Sequence, residues 1–125
     1  AQHALSLLTQ LLVHPGDTVV VERPTFPGAI DVFARAGARL AAVPVDGGGT
    51  DVGALGRRLE RGDVRVVYLV PTCHSATGAT LPEQCRREIA ALIDGSDCWL
   101  IEDETLAPLH FGGPDGDEPA PAPIS

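Results

Sequence analysis

Three short segments hold the residues of this chain whose types and spacing could do chemistry: Pro24 to Gly28, Pro71 to Gly78, and Asp103 to Thr105. Between them they offer an aromatic ring at Phe26, hydroxyls at Ser75, Thr77 and Thr105, a thiol at Cys73 and a carboxylate at Asp103. Taken singly, each has an ordinary reading. The first is a turn with Phe26 in the core, the second a strand-to-helix loop, the third a carboxylate capping a turn. At one edge of a parallel sheet they read together as a ligand site, because ligands in open α/β sheets sit beyond the carboxyl ends of the strands.

Competing chemistries find less support. His3, His14, His74 and His110 share no metal-ligand spacing, so they are expected on the surface or in loops and no metal site is expected. Cys73, Cys85 and Cys98 are odd in number and lack a CxxC pair, which argues against a disulfide framework or zinc and for a reducing cytoplasm. No neighbouring base or cation pattern activates Cys73. Gly47-Gly48-Gly49 lacks the Lys-Ser/Thr ending of a phosphate loop, and Arg86-Arg87 is expected on a solvated helix face. All nine basic residues are arginine, so the chain has no lysine amine at all. Either an Ala-, Gly-, Pro- and Arg-rich composition accounts for this, or a required lysine lies outside the segment.

The elements that would position these residues alternate along the chain. Ala4, Leu5, Leu7, Leu8, Leu11 and Leu12 form a helical stripe stopped by His14 to Asp17. Thr18 to Glu22 is a β-branched run without polar alternation, as expected of a strand buried on both faces. Ala29 to Ala36 predicts a helix ended by Gly37, Arg39 to Val45 a strand, Asp46 to Thr50 a loop, and Asp51 the cap of a helix to about Arg61. Arg65 to Val70 predicts a third long strand, Leu81 to Asp94 a helix with Pro82 in its first turn, and Cys98 to Ile101 a strand running into Glu102 and Asp103. This alternation predicts an α/β fold of three αβα layers around a mostly parallel sheet. From Gly112 to Pro123 the chain is too polar and proline-broken to pack, and reads as a loop, linker or truncated end.

The 125 residues suffice for one domain, and 44% apolar content supplies a core. A net charge of -8 and a pI near 4.7 argue against a nucleic-acid backbone as partner. No apolar run approaches the roughly 18 residues a bilayer demands, so no membrane association is expected. The start at Ala1, without an initiating Met, reads as the middle of a helix in a fragment. A plain nucleotide-binding α/β domain would need a glycine-rich first turn, which the sequence lacks.

These residues resemble the fold-type I, pyridoxal-phosphate-dependent aminotransferases of class I and II, and most closely the aminotransferase-like domain of MocR-type regulators in the GntR superfamily. Ala1-Gln2-His3-Ala4-Leu5 is similar to the end of the family's Gly-Ala-Gln-x-Ala-Leu segment, and Glu22 to Gly28 resembles Glu-x-Pro-Thr-Tyr-Pro-Gly. Pro71 to Gly78 resembles the loop ending in Asn-Pro-Thr-Gly, and Ile101 to Glu104 resembles Ile-Glu-Asp-Asp. The resemblance implies that residues 1–110 are part of a pyridoxal-phosphate-binding large domain, with 111–125 a Gly/Pro/Asp-rich loop or truncated end.

It also implies roles. Asp103 is the carboxylate that keeps the cofactor's ring nitrogen protonated, Phe26 stacks on the ring, and Ala1 and Gln2 fall where a helix N-terminus holds the phosphate. Ser75 stands where the family has Asn and Thr105 where it has Tyr, both donors to the ring hydroxyl oxygen, so the shorter side chains tune that contact differently. The Schiff-base lysine is implied beyond Ser125, which leaves the segment inactive alone and without a catalytic residue. The parent would be a cytoplasmic homodimer acting on an amino acid or small amino compound. It would be either a transaminase or an effector-sensing regulator that binds DNA only through a separate N-terminal domain.

Overall fold

The computed structural model describes residues 1–112 and 119–124. Its elements run α1 (Gln2–Leu12), β1 (Thr18–Arg23), α2 (Pro27–Arg35), β2 (Arg39–Asp46), β3 (Gly49–Thr50), α3 (Val52–Leu59), β4 (Val64–Leu69), α4 (Glu83–Asp94), β5 (Trp99–Glu102) and a 3-10 turn (Ala107–Leu109). The five strands form one sheet in the order β3-β2-β1-β4-β5. Pairs β1·β2, β1·β4 and β4·β5 are parallel, and only β3 runs antiparallel, to β2.

Side-chain alternation on the buried strands sorts the core into two halves. Val19, Val21, Val66 and Tyr68 face one side, where Leu5, Val13, Ala29 and Phe33 from α1 and α2 cover them. Val20, Val67 and Leu69 face the other, under Leu55, Leu59 and Ile89 from α3 and α4. That is the three-layer αβα arrangement, and it explains why β1 and β4 are apolar without alternation: both faces are covered. No helix among the described residues is long and apolar enough to cross a membrane.

Several boundaries differ from those expected. α2 begins at Pro27, two positions before Ala29, because a proline's fixed φ suits the first helical position and its missing N–H costs nothing there. Pro82 is the extended N-cap of α4 and lies outside its first turn. The loop expected at Asp46 to Thr50 contains strand β3: Asp46 Oδ1 accepts the Gly48 N–H at 2.7 Å, and Asp46 pairs with Gly49 across a tight hairpin. Gly49 adopts a φ of +98°, which L side chains rarely reach.

The tail also departs from expectation. Residues 113–118 of the Gly/Pro/Asp-rich stretch lie outside the described residues, but the segment after them packs. Ile124 is buried in the α3/α4 half of the core, its N–H donates to Glu102 Oε2 at 2.7 Å, and Ala122 O accepts from Arg86 at 3.0 Å. One apolar residue and two backbone hydrogen bonds hold the described part of this proline-rich segment, which belongs to no helix or strand.

Candidate functional site

Because β2 lies on one side of β1 and β4 on the other, the chain reverses its order across the sheet between β1 and β4, and a crevice opens at their carboxyl ends. A cavity of about 210 Å³ lies there, lined by Ala1, Phe26, Val70, Ser75, Asp103, Thr105 and Leu106. The structure thus brings Phe26, Ser75, Asp103, Thr105 and Ala1 to one wall, from four separate stretches of sequence. Gln2 does not line it; its side-chain nitrogen lies 3.3 Å from the position a Cβ on Gly28 would take. The Phe26 ring comes within 2.5 Å of that same position, so Gly28 is required for the ring to fold back over the start of α2.

Asp103 is the charged group of the wall, and its geometry is set by strands. Its N–H donates to Leu69 O at 2.8 Å, extending the β4·β5 ladder by one residue. Tyr68 Oη donates to Asp103 Oδ2 at 2.7 Å, while the Thr105 hydroxyl and N–H donate to Oδ1 at 2.5 and 3.1 Å. Partial burial pushes the carboxyl pKa up, but the Thr105 and Tyr68 hydrogen bonds outweigh it and hold Asp103 below the ordinary carboxylate value. Tyr68 moves the opposite way: burial first, then the hydrogen bond to Asp103, raises its phenol far above the usual range, so it stays a donor. The Tyr68 ring is fixed edge-on to Phe33, with centroids 5.8 Å apart.

The loop carrying Ser75 is tied down from several sides. His74 N–H donates to Ala79 O at 2.8 Å, Gly78 N–H to His74 O at 2.7 Å, and Leu81 N–H to Pro71 O at 2.8 Å. Arg86, expected on a solvated face, is 3% exposed. It donates to Leu81 O (3.0 Å), Pro71 O (2.9 Å), Thr72 Oγ1 (2.7 Å), Glu104 Oε1 (3.2 Å) and Ala122 O (3.0 Å). Only its neighbour Arg87 stays outside, paired with Glu83 one turn away. His74, expected on the surface or in a loop, sits in the loop but is 2% exposed.

Beneath that loop Glu22 is also buried. Its carboxylate accepts from the Thr50 hydroxyl at 2.6 Å and from the Val70 N–H at 2.8 Å, and His74 Nε2 lies 3.4 Å from Oε2. Desolvation dominates here and raises the Glu22 pKa, although Thr50, Val70 and His74 each favour the charged form. Glu22, Tyr68, His74 and Arg86 were not visible as site residues in sequence. The available signals were a carboxylate ending an apolar strand that is buried on both faces, and a Tyr hydroxyl inside another, which must find a partner when buried. Nothing in the Arg86-Arg87 doublet told which arginine turned inward.

A mostly parallel sheet with a carboxylate and an aromatic ring lining one cavity at its switch point defines an α/β protein with a candidate small-ligand site at its strand ends. Residues 1–121 match the model of the family described as aminotransferase class I and II, and the chain belongs to that family. It is 30% identical to the aromatic-amino-acid aminotransferase 1 of Thermococcus litoralis over 90% of this chain and 28% of that protein. It is 33% identical to an HTH-type transcriptional regulator of Escherichia coli, YdcR, over 98% of this chain and 26% of that one. The solved structure of LysN, the α-aminoadipate aminotransferase of Thermus thermophilus complexed with N-(5'-phosphopyridoxyl)-L-leucine, superposes with a TM-score of 0.76. That similarity carries 31% identity and covers 82% of this chain and 26% of that one. The chain therefore spans little more than a quarter of the curated relatives it matches.

Proposed function

We propose that this segment forms the bed for pyridoxal 5'-phosphate in an aminotransferase-like protein, with Asp103 as the group that holds the cofactor's ring nitrogen protonated. The observation that carries this reading is the Asp103 carboxylate, kept ionised by Tyr68 and Thr105 at the wall of a cavity that Phe26 also lines. The set of groups suits the cofactor: a carboxylate for a cationic ring nitrogen, an aromatic face for a planar ring, and the Ser75 hydroxyl for its ring oxygen. When bound, the cofactor supplies an electron sink for chemistry at the carbon bearing an amino group.

The chain's own residues bind and orient. Phe26 offers ring area without a hydroxyl. Ala1 and Gln2 open α1, whose first N–H groups lack partners within the helix and suit a dianionic phosphate. Ser75 reaches the wall from its loop as a short donor. The Thr105 hydroxyl is engaged with Asp103, so its main part is to keep that carboxylate charged. The covalent anchor must come from elsewhere in the parent protein, because these residues include no lysine.

In this reading the parent is a cytoplasmic homodimer that takes an amino acid or small amino compound and moves its amino group to an oxo acid. A regulator that senses such a compound, with a separate DNA-binding domain, is the second reading. The short donor at Ser75, the engagement of Thr105 with Asp103 and the similarity to YdcR favour it. Asp103→Ala in the full-length protein should abolish or greatly weaken the visible absorbance that appears on adding pyridoxal phosphate; an unchanged spectrum and affinity would overturn the assignment. Amino transfer to 2-oxo acids at substantial rates would favour the enzyme. Effector-dependent DNA binding without turnover would favour the regulator.

A further inference from the structure

The loop that presents Ser75 does not rest on the sheet through backbone contacts alone. His74 Nδ1 accepts from the N–H groups of Ala76 and Thr77, at 3.3 Å each, inside the loop. An imidazole nitrogen that accepts cannot carry the proton, so the ring proton of neutral His74 belongs on Nε2. Nε2 lies 3.4 Å from Glu22 Oε2, within ion-pair distance, and has no hydrogen-bond partner among the described residues. Glu22 is held in turn by the Thr50 hydroxyl of β3 and the Val70 N–H at the end of β4.

We infer that Glu22 and His74 are positioning residues that together set the place of the loop carrying Ser75 at the ligand cavity. The chain of contacts runs from β3 through Thr50, the carboxylate of Glu22 on β1 and the imidazole of His74 to the backbone of residues 76 and 77, which flank Ser75 on one side. Ser75 and the residues after it to Gly78 are exposed, so little side-chain packing holds this stretch. An ionisable pair buried this deeply is costly unless it is held by partners: Thr50 and Val70 donate to Glu22, the loop donates to His74 Nδ1, and Nε2 faces Oε2 at ion-pair distance. Glutamine at position 22 should preserve the arrangement: its oxygen can accept from Val70 and His74, and its NH₂ can donate to the Thr50 hydroxyl, which also accepts. Leucine cannot.

The inference rests on the proposed ligand site only for what Ser75 does there; the holding of the loop is independent of it. In the cofactor-free full-length protein, Glu22→Leu and His74→Ala should each speed amide hydrogen exchange at Ala76, Thr77 and Gly78 by about tenfold or more, while Val20 and Val67 in the sheet change far less. Glu22→Gln should keep wild-type exchange in the loop. With pyridoxal phosphate added, Glu22→Leu should weaken binding several-fold and Glu22→Gln less than about twofold.

Loop amides that keep wild-type rates in both disruptive variants would overturn the inference, as would sheet amides that accelerate in step with the loop. Loosened loop amides with unaltered pyridoxal phosphate affinity would overturn the positioning role. If Asp103→Ala and Ser75→Ala also leave that affinity unchanged, the proposed ligand site is what fails, and the exchange result still decides whether Glu22 and His74 hold the loop. Should Glu22→Leu not fold, His74→Ala decides the matter, since it leaves the Thr50 and Val70 bonds to Glu22 in place.

Discussion

Tyr68 Oη donates a 2.7 Å hydrogen bond to Asp103 Oδ2, joining the middle layer of the protein to its ligand cavity. The tyrosine is fully buried in β4 and the aspartate is half-buried just past the neighbouring strand β5, so the bond crosses from core to site. Its consequence is an asymmetry: the phenol is held protonated and the carboxyl is held ionised.

Tyr68→Phe keeps the ring against Phe33 and removes only this donor. The Asp103 pKa should rise toward the ordinary carboxylate value. A depressed carboxyl contributes stability that is present above its unfolded pKa and lost as pH falls through the folded one, so the variant should lose part of that contribution. Its cost in stability near neutral pH should be about 1 kcal/mol, discounted for the partial exposure of Asp103. Carbon-13 NMR of labelled aspartate in the full-length protein, with denaturant unfolding, measures both.

Arg86 ties the ligand loop, α4, the turn after β5 and the tail to one guanidinium. Arg86→Ala should destabilise the protein by about 3–5 kcal/mol, because it strands buried carbonyls and the paired Glu104. Arg86→Lys should recover little, since one ammonium cannot reach acceptors that diverge around a planar fork. Urea midpoints of the two variants check this.

Glu22 should make the protein less stable as pH rises. Burial lifts its pKa above the ordinary 4.5, so its contribution is complete below that value and is lost as pH climbs through the raised one. The groups facing it are His74, the Thr50 hydroxyl, the Val70 N–H and, at longer range, the Tyr68 phenol. Glu22→Gln imitates the protonated acid and cannot ionise. Unfolding free energies of the variant and wild type should agree near pH 4 and diverge toward neutrality, with the variant the more stable. A divergence of the opposite sign would refute the reading.

Gly49→Ala should cost about 1–2 kcal/mol. The backbone there has a φ of +98°, and a Cβ would come within 2.7 Å of Leu81 Cδ1 and 3.3 Å of its Cα. Gly62→Ala, also at positive φ but with open space around it, should show the backbone part of the penalty alone. Comparing their thermal unfolding separates conformational strain from the clash with the segment that leads into α4.

Much of this architecture was legible in the order of residue types. The β-branched apolar runs Thr18 to Glu22 and Arg65 to Val70 read as strands covered on both faces, and Asp51 caps α3 through its bond to the Ala54 N–H at 2.8 Å, as its residue type predicts. Phe26, Ser75, Asp103 and Thr105 were legible because each lies just past a strand end or in a loop leaving one, and strand ends in a parallel sheet share an edge. Arg86 was expected on the wrong face and the burial of His74 within its expected loop was not foreseen, since both are polar residues in polar stretches, and a linear pattern records hydrophilicity without showing which side of a helix or loop turns inward.

By itself, then, the sequence determined the alternation of strands and helices, the edge at which a ligand site would form, and the absence of any lysine in this stretch. Only the tertiary structure decided which polar groups were buried: Glu22 beside His74, Tyr68 under Asp103, Arg86 among the carbonyls of three segments, and Ile124 docked in the core. The physical reason is that local patterning depends on residues three or four apart, whereas a buried charge must find partners wherever the fold brings them. Here those partners lie 52 positions away for Glu22 and His74 and 35 for Tyr68 and Asp103.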